Sequence, residues 1–450
     1  MNLAHQHRLA CGAFCILIAL ALLSGPILSA VRANAQTASN LQQQPPTMAE
    51  GEPHPTGLPT PLHDLVEEAE RSNPEIAASL HAWKAGTNVP KQASALPETE
   101  VTVQQFSVGS PRPFAGFSNS DFAYIGFGAS QDLPYPGKRR LRSQVAEREA
   151  DSLQEQTNAV RKRVIESLKQ VYFRLAYIQQ TLGTLESNDQ LLNQVQQVVE
   201  NRYRVGQGSQ QDVLKAQLQH TKILQEIAHH HQEDGQLEAQ LKQILNRPQE
   251  SPDIVAEPLV ATPLRLSAAE LLQRTRETNP DVRARTEMVR GQETRVELAH
   301  KEFRPDFSVG YMYEHTGSQA RDYYMATFSV RLPNRSRQSA ALAEALENQE
   351  RTKQELQSEV QRTLSEVQQQ YVMVKASEER LKIYNEGLIP QSDATFHAGL
   401  AAYQANRQDF ETLLSSFLDV LNLDLEYRSE VAEHESALAR LERLTGVTLP

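Results

Sequence analysis

Cysteine is nearly absent from this 450-residue chain, and its two copies, Cys11 and Cys15, both fall in an N-terminal segment that reads as a secretory signal. A chain cut after that segment holds no disulfide, no thiolate metal ligand and no cysteine nucleophile. Aromatic residues amount to 6%, with one Trp, and hydrophobic residues to 39%; mean hydropathy is −0.52. So little apolar material fits long amphipathic helices better than the two or three large cores that the length would allow. Positive charge is also in deficit: 45 Lys and Arg against 56 Asp and Glu leave a net charge of −11. That excludes the basic face on which non-specific nucleic-acid binding depends. GxSxG, HExxH and a phosphate-binding glycine loop are missing as well, so the sequence holds no catalytic constellation and predicts neither an enzyme nor a cofactor.

What is present starts with Arg8, an apolar run over residues 13–23 and Ala33-Asn34-Ala35. These are the three parts of a signal peptide over 1–35, cut before Gln36. The run is too short for a comfortable membrane helix of roughly 20 residues. Cys15 lacks the small-residue lead-in of a lipoprotein, so no lipid anchor is expected. Residues 36–61 are rich in Pro, Gln and Gly and read as an extended linker.

The remainder repeats itself. LVEEAERSNPEIAA from Leu65 is matched by LLQRTRETNPDVRA from Leu271, with Asn73-Pro74 and Asn279-Pro280 206 residues apart. In each, Asn can cap a helix and Pro can take its first position, where a missing N–H does no harm. Pro97 precedes ETEVTVQQFSVG and Pro305 precedes DFSVGYMYEH; Leu133-Pro134 and Leu332-Pro333 close second strands; Tyr203 and Tyr403 close long helical runs. A duplication of about 200 residues accounts for all these offsets. It divides the chain into a first copy (62–247), a connector (248–265) and a second copy (266–450).

Each copy reads helix, strand, strand, very long helix, turn, helix. The strands are expected at about 100–108, 121–133, 305–315 and 322–332. In the last two, alternation puts Phe307, Val309, Tyr311 and Tyr313 on one face, and likewise Tyr324, Ala326, Phe328 and Val330. The first long run steps mostly by four and three through Val164, Leu168, Val171, Leu175, Ile178, Leu182, Leu185, Leu192, Val195 and Val199, a coiled-coil seam. Leu356, Val360, Leu364, Val367, Tyr371, Val374, Leu381 and Leu388 form its counterpart. Runs of roughly 65 residues would each span on the order of 100 Å.

Strands of about ten residues suit a tilted bilayer crossing. Lipid tolerates no open sheet edge, and four strands fall short of the usual minimum of about eight for a barrel, so several chains would have to share one. Periodicity alone leaves a second reading open: a small soluble sheet in a periplasmic coiled-coil adaptor or scaffold. The export signal, with no internal apolar helix, favours the barrel.

QDLPYPGKR, VRLPNRSR, SNPEI, TNPDV, RYRVGQGSQQDVLKAQ and AAYQANRQDFETLL, in this order of copies, resemble the TolC-type outer-membrane efflux channels over residues 62–444. The resemblance implies a mainly α fold with a small β part. Long antiparallel coiled-coil helices carry four β-strands per protomer, and a trimeric twelve-stranded outer-membrane β-barrel continues into a periplasmic α-helical tunnel. It implies a homotrimer in outer-membrane lipid that meets a periplasmic adaptor (membrane fusion) protein and an inner-membrane pump. Small solutes such as heavy-metal cations or drugs would leave through it; type I protein secretion shares the architecture. The PGKR junction looks like that of the heavy-metal cation branch. GSPRPFAGFSNS and TGSQAR become extracellular loops.

On the same resemblance, Pro134, Pro136, Gly137, Lys138 and Pro333 mark where strands become tunnel helices. Pro stops a strand by lacking a donor, and Gly137 permits a sharp change of direction. The tip turns are the candidate adaptor-contact and aperture sites: Tyr203, Gly206, Gly208, Ser209 and Asp212 in the first copy, Tyr403, Asn406, Arg407 and Asp409 in the second. Taking Asp409 as the partner of Asp212 makes the second turn three residues shorter. Asn406 replaces a Gly, which is mild because Asn tolerates left-handed backbone, and Thr412 stands where some relatives carry a second acidic residue. His229, His230 and His231, with His220 nearby, invite a metal reading. Successive helical residues point about 100° apart, so a solvated surface is expected and no metal site is assigned.

Overall fold

A computed structural model describes residues 59–107, 123–316 and 321–449. The expected signal, the linker up to residue 58, and the loop residues 109–120 and 317–320 lie outside them. The first copy runs α1 (Leu62–Ser72), α2 (Pro74–Gly86), α3 (Val89–Ser94), β1 (Glu100–Phe106), β2 (Tyr124–Leu133), α4 (Lys138–Arg204) and α5 (Gln210–Ile244). The second runs α6 (Ala268–Thr278), α7 (Pro280–Lys301), β3 (Asp306–Thr316), β4 (Tyr323–Arg331), α8 (Arg335–Ile383), α9 (Ile389–Gln404) and α10 (Phe410–Thr445).

The two Asn-Pro turns do more than cap. Asn73 accepts from the Glu75 and Ile76 N–H groups, and Asn279 from Val282. Each then donates its amide to the end of a return helix, Asn73 to Ile244 O and Asn279 to Leu444 O, both at 2.8 Å. Ser72 and Thr278 add bonds to Leu245 O and Thr445 O. Three N–H groups at helix starts and four carbonyls at helix finishes are thereby satisfied by two short motifs.

The first coiled-coil seam is buried as its spacing predicts. Leu168, Leu175, Ile178 and Leu182 pack with Leu237, Leu241 and Leu245 of the return segment, and Leu185, Leu192 and Val199 pack further along with Ala216 and Ile223. α4 has 67 residues, about 100 Å of continuous helix. The second run differs from the unbroken pillar that was expected. Between α8 and α9, Tyr384–Leu388 forms a π turn, in which the Ile389 N–H bonds back to Tyr384 O. Pro390 explains the break: it has no N–H, and in α-helical geometry its ring would strike the carbonyl four residues earlier. Leu388, assigned to the seam, is exposed.

One antiparallel sheet of order β1-β2-β3-β4 joins the copies through β2 and β3. The two inner strands meet the helices at a corner built around one buried side chain, Lys138. At the β2 end Gly137 has φ of 96° and caps α4, a left-handed conformation that favours glycine. Lys138 beside it is 1% exposed, its Nζ 2.8 Å from Glu302, 2.9 Å from Asp306 and 3.0 Å from Arg304 O. Asp306 also accepts the Tyr135 N–H at 2.8 Å. The Lys138 ammonium thus fastens β2–α4 to α7–β3. Pro134 is half-buried and Pro136 exposed. The outer junction after β4 is looser: Leu332 is exposed, Pro333 half-buried, and Asn334 caps α8 through Ser336 and Arg337.

The connector lies along the helices by side-chain bonds to its backbone. Glu238 accepts the Ile254 N–H at 2.7 Å and Glu435 the Thr262 N–H at 2.7 Å, while Tyr172 takes Glu257 N–H and donates to Thr60 O. Lys242 sits between Asp253 (2.8 Å) and Glu238 (3.5 Å). Burial pushes the Glu238 carboxyl up to about 7 and raises Glu435 as well.

Two outcomes are expected. Lys138→Met leaves Glu302 and Asp306 without their amine and should cost on the order of 3 kcal/mol, read as an earlier thermal loss of helical circular dichroism; an unchanged midpoint would refute the latch. The raised Glu238 carboxyl holds its proton more tightly when the connector is docked. Docking should therefore be strongest below about pH 4.5 and weaken as pH rises to about 7. Hydrogen exchange at the Ile254 amide, corrected for intrinsic rates, should speed up across that window, and Glu238→Gln should flatten the dependence.

Candidate functional site

The sheet has two unlike faces. Opposed residues of antiparallel neighbours share a side, and the register sets Val103 against Phe127, Phe127 against Tyr313 and Tyr313 against Tyr324. The same face carries Val101, Ala129, Phe307, Val309, Tyr311, Phe328 and Val330. The two aromatic series expected from alternation thus oppose one another residue for residue, with Phe307 and Phe328 stacked at 5.9 Å. This apolar face is bare: Val101 is 75% exposed and Phe328 66%. The reverse face carries Thr102, Gln104, Gly126, Gly128, Ser130, Ser308, Glu314, Thr327 and Ser329, with Met312 and Met325 among them and Phe106, Tyr124 and Tyr323 toward one end. β1 and β4 form its two open edges. Among the described residues no helix is long and apolar enough to cross a membrane.

At the far end of the helices, both tip turns are built alike. After α4, Gln207 N–H bonds to Arg202 O and Gly206 N–H to Tyr203 O; after α9, Arg407 N–H bonds to Ala402 O and Asn406 N–H to Tyr403 O. This is the Schellman pattern, and its left-handed residue is Gly206 (φ 75°) in one turn and Asn406 (φ 60°) in the other. Gly208 lies where a Cβ would come 3.1 Å from Tyr203 N.

The return helices correct the expected alignment. Ser209 caps α5, accepting from Asp212 N–H at 3.1 Å while Asp212 accepts from Ser209 N–H. Asp409 caps α10, accepting from Thr412 N–H at 2.8 Å. Asp409 therefore stands in the place of Ser209, Thr412 in that of Asp212, and the turns are equally long. Matching one aspartate to the other had confused a cap with the residue three positions inside. Asp409 is held below the usual carboxylate range by its hydrogen bonds with Thr412.

The tips are joined by residues that the sequence reading missed. Arg202 donates to Tyr403 O at 2.8 Å and to the Asn406 side chain, and its guanidinium lies 4.5 Å from the Tyr403 ring centroid. Lys215 pairs with Glu411 at 2.6 Å. Tyr403 is 5% exposed against Phe410 and Phe417 in a shared core, whereas Tyr203 is 47% exposed. At an offset of 200 the counterpart of Arg202 is Ala402, so the arginine lies outside the repeated pattern from which the tip residues were chosen. Arg407 is exposed. The histidines do not converge, since His220 lies 3.1 Å from Asp189 and His230 3.6 Å from Glu233. Among the described residues no group of three or more His, Cys, Asp or Glu is arranged to hold a metal ion.

The fold recurs in known proteins. VceC, an outer membrane protein from Vibrio cholerae, shares the fold at a TM-score of 0.71 and 17% identity, over 86% of this chain and 96% of its own. CusC matches at 0.73 and 15%, over 86% and 92%, and the MtrE outer membrane channel of Neisseria gonorrhoeae at 0.72 and 16%, over 86% and 89%. No curated protein sequence matches the chain. The profile of the outer membrane efflux proteins matches residues 65–247 and 271–444. With both copies matched over most of their length, the chain belongs to the outer membrane efflux protein family, whose members are transport ducts and not enzymes.

Proposed function

We propose that three copies of this chain build a twelve-stranded barrel in the outer membrane, continuous with a helical tunnel that reaches into the periplasm. The complex is the exit duct of a tripartite efflux system and receives small solutes, heavy-metal cations or drugs, from an inner-membrane pump through a periplasmic adaptor. One observation carries this reading: the sheet has a bare apolar face, a polar reverse face and two unpaired edges. An exposed apolar face of this breadth is stable against lipid and unstable in water. Edge N–H and C=O groups have no partner in hydrocarbon, so edges from separate copies must pair until the sheet closes.

The tip is the constriction. Arg202 couples the first-copy hairpin to the second through a carbonyl, an amide and an aromatic face, and loosening that contact lets the hairpins part. Tyr203, Gly206, Gly208 and Asp212, with Asn406, Arg407 and Asp409, form the surface that meets the adaptor. No energy is supplied by the duct itself.

The protein should resist carbonate extraction from membranes and migrate as a heat-modifiable oligomer; recovery as a washable monomer would refute the duct. A strain lacking it should become sensitive to metal salts or to dyes and antibiotics, and the side on which sensitivity falls identifies the solutes. Arg202→Ala should remove on the order of 2 kcal/mol of tip contact and raise the conductance of the protein reconstituted in planar bilayers. Unchanged conductance would place the constriction elsewhere.

A further inference from the structure

We propose that the strand-to-helix junctions form a basic collar that binds the phosphate headgroups of anionic phospholipids at the periplasmic surface of the outer membrane. The collar rests on the duct reading, in which the apolar face of the sheet meets lipid and the helices leave the bilayer at these junctions. The chain has a net charge of −11, yet residues 136–142, PGKRRLR, and 332–340, LPNRSRQSA, hold bases and no acidic residue. Both segments open long helices, α4 and α8, and neither helix has an acidic residue in its first turn. By contrast α1, α2, α5, α6, α7 and α10 each have one there. A helix start is the positive end of the macrodipole and favours acidic side chains. The bases that open α4 and α8 are therefore disfavoured by their own helices, and an anion from outside the chain offsets that cost.

These bases stand at one level. Lys138 Nζ bonds to Arg304 O at 3.0 Å, which ties the start of α4 to the turn between α7 and β3. Asp306 lies directly opposite Arg331, and α8 opens four residues further on at Arg335. The carboxylates nearby are already engaged: Glu302 by Lys138 and Arg142, Asp306 by Lys138, and Asp132 by Arg331. Arg140, Arg304, Arg335 and Arg337 are exposed, and among the described residues none of the four has a carboxylate partner. Apolar surface runs up to them. β4 carries the bare face as far as Val330, 47% exposed, and Leu332, next in the alternation, is 81% exposed. A free phosphate ion would meet the arginines and leave Leu332 in water. A phospholipid meets both, with its acyl chains against the leucine and its phosphate oxygens on guanidinium groups, whose paired N–H donors suit them. A zwitterionic headgroup carries its own ammonium, so the collar selects lipids of net negative charge.

The test uses the full-length protein in detergent, titrated with phosphatidylglycerol or with phosphatidylcholine of the same acyl chains and read by native mass spectrometry. The wild type should bind phosphatidylglycerol the more tightly, and the preference should shrink as salt is added. Each base near an anionic surface contributes about fivefold. The Arg140→Gln/Arg304→Gln/Arg335→Gln/Arg337→Gln variant should therefore bind phosphatidylglycerol at least about tenfold more weakly, with phosphatidylcholine binding unchanged, whereas Arg→Lys at the same four positions should keep most of the preference. Migration of both variants as the wild-type oligomer separates lost lipid binding from misfolding. Arg337→Gln alone, expected to weaken binding about fivefold, serves where the quadruple change unfolds the protein. Equal affinity of the wild type for the two lipids, or an undiminished preference in the Gln variants, would overturn the collar. So would displacement of the lipid by equimolar inorganic phosphate, or altered ion selectivity in planar bilayers with lipid binding intact, since the arginines would then face the lumen. Carbonate extraction of a monomer would count against the duct, and the titration would still decide whether the collar binds lipid.

Discussion

Backbone hydrogen bonding governs this structure from end to end. Helices of 67 and 49 residues satisfy their own interiors, so the unsettled N–H and C=O groups are concentrated at a few ends and at two sheet edges. The main ends are closed by specific devices: Asn73 and Asn279 serve a helix start and a helix finish together, the tips use left-handed residues followed by side-chain caps, and the Lys138 ammonium holds Arg304 O at the corner where strands become helices. Among the described residues, the edges of β1 and β4 are left to be met from outside the chain.

This distribution separates rigid from yielding parts. At the corner Lys138 is buried, with half-buried carboxylates and a carbonyl around its amine, and joins the two copies where the sheet meets the pillars. The tips instead share an aromatic core, Phe396, Tyr403, Phe410 and Phe417, closed by the Arg202 contacts. The π turn at Tyr384–Leu388 lies only in the second pillar. The copies are therefore alike in plan and unequal in mechanics, and the second has the interruption that an unbroken α4 lacks.

The chain's poverty in apolar residues fits this division. Apolar side chains are concentrated along seams such as Leu168 to Leu182 and on one face of four short strands, with others exposed singly along the helices, Leu218, Leu224 and Val372 among them. Nothing in the family to which it belongs calls for a catalytic group.

The sequence by itself determined whatever depends on neighbours close along the chain. Heptad spacing selected the buried seam, period-two alternation selected the aromatic faces of β3 and β4, and Gly206 and Asn406 marked left-handed turns because few other residues tolerate that backbone. The equal length of the tip turns was misread because two aspartates were matched by type, when cap geometry decides the position. The π turn had a cue in Pro390 that seam spacing masked. Tertiary structure alone decided the rest: that Lys138 is buried among Glu302 and Asp306, that Arg202 reaches Tyr403 about one whole copy away, and that Glu238 is desolvated under the connector. Each of these depends on packing residues remote in sequence, and burial and charge pairing of that kind have no period to read.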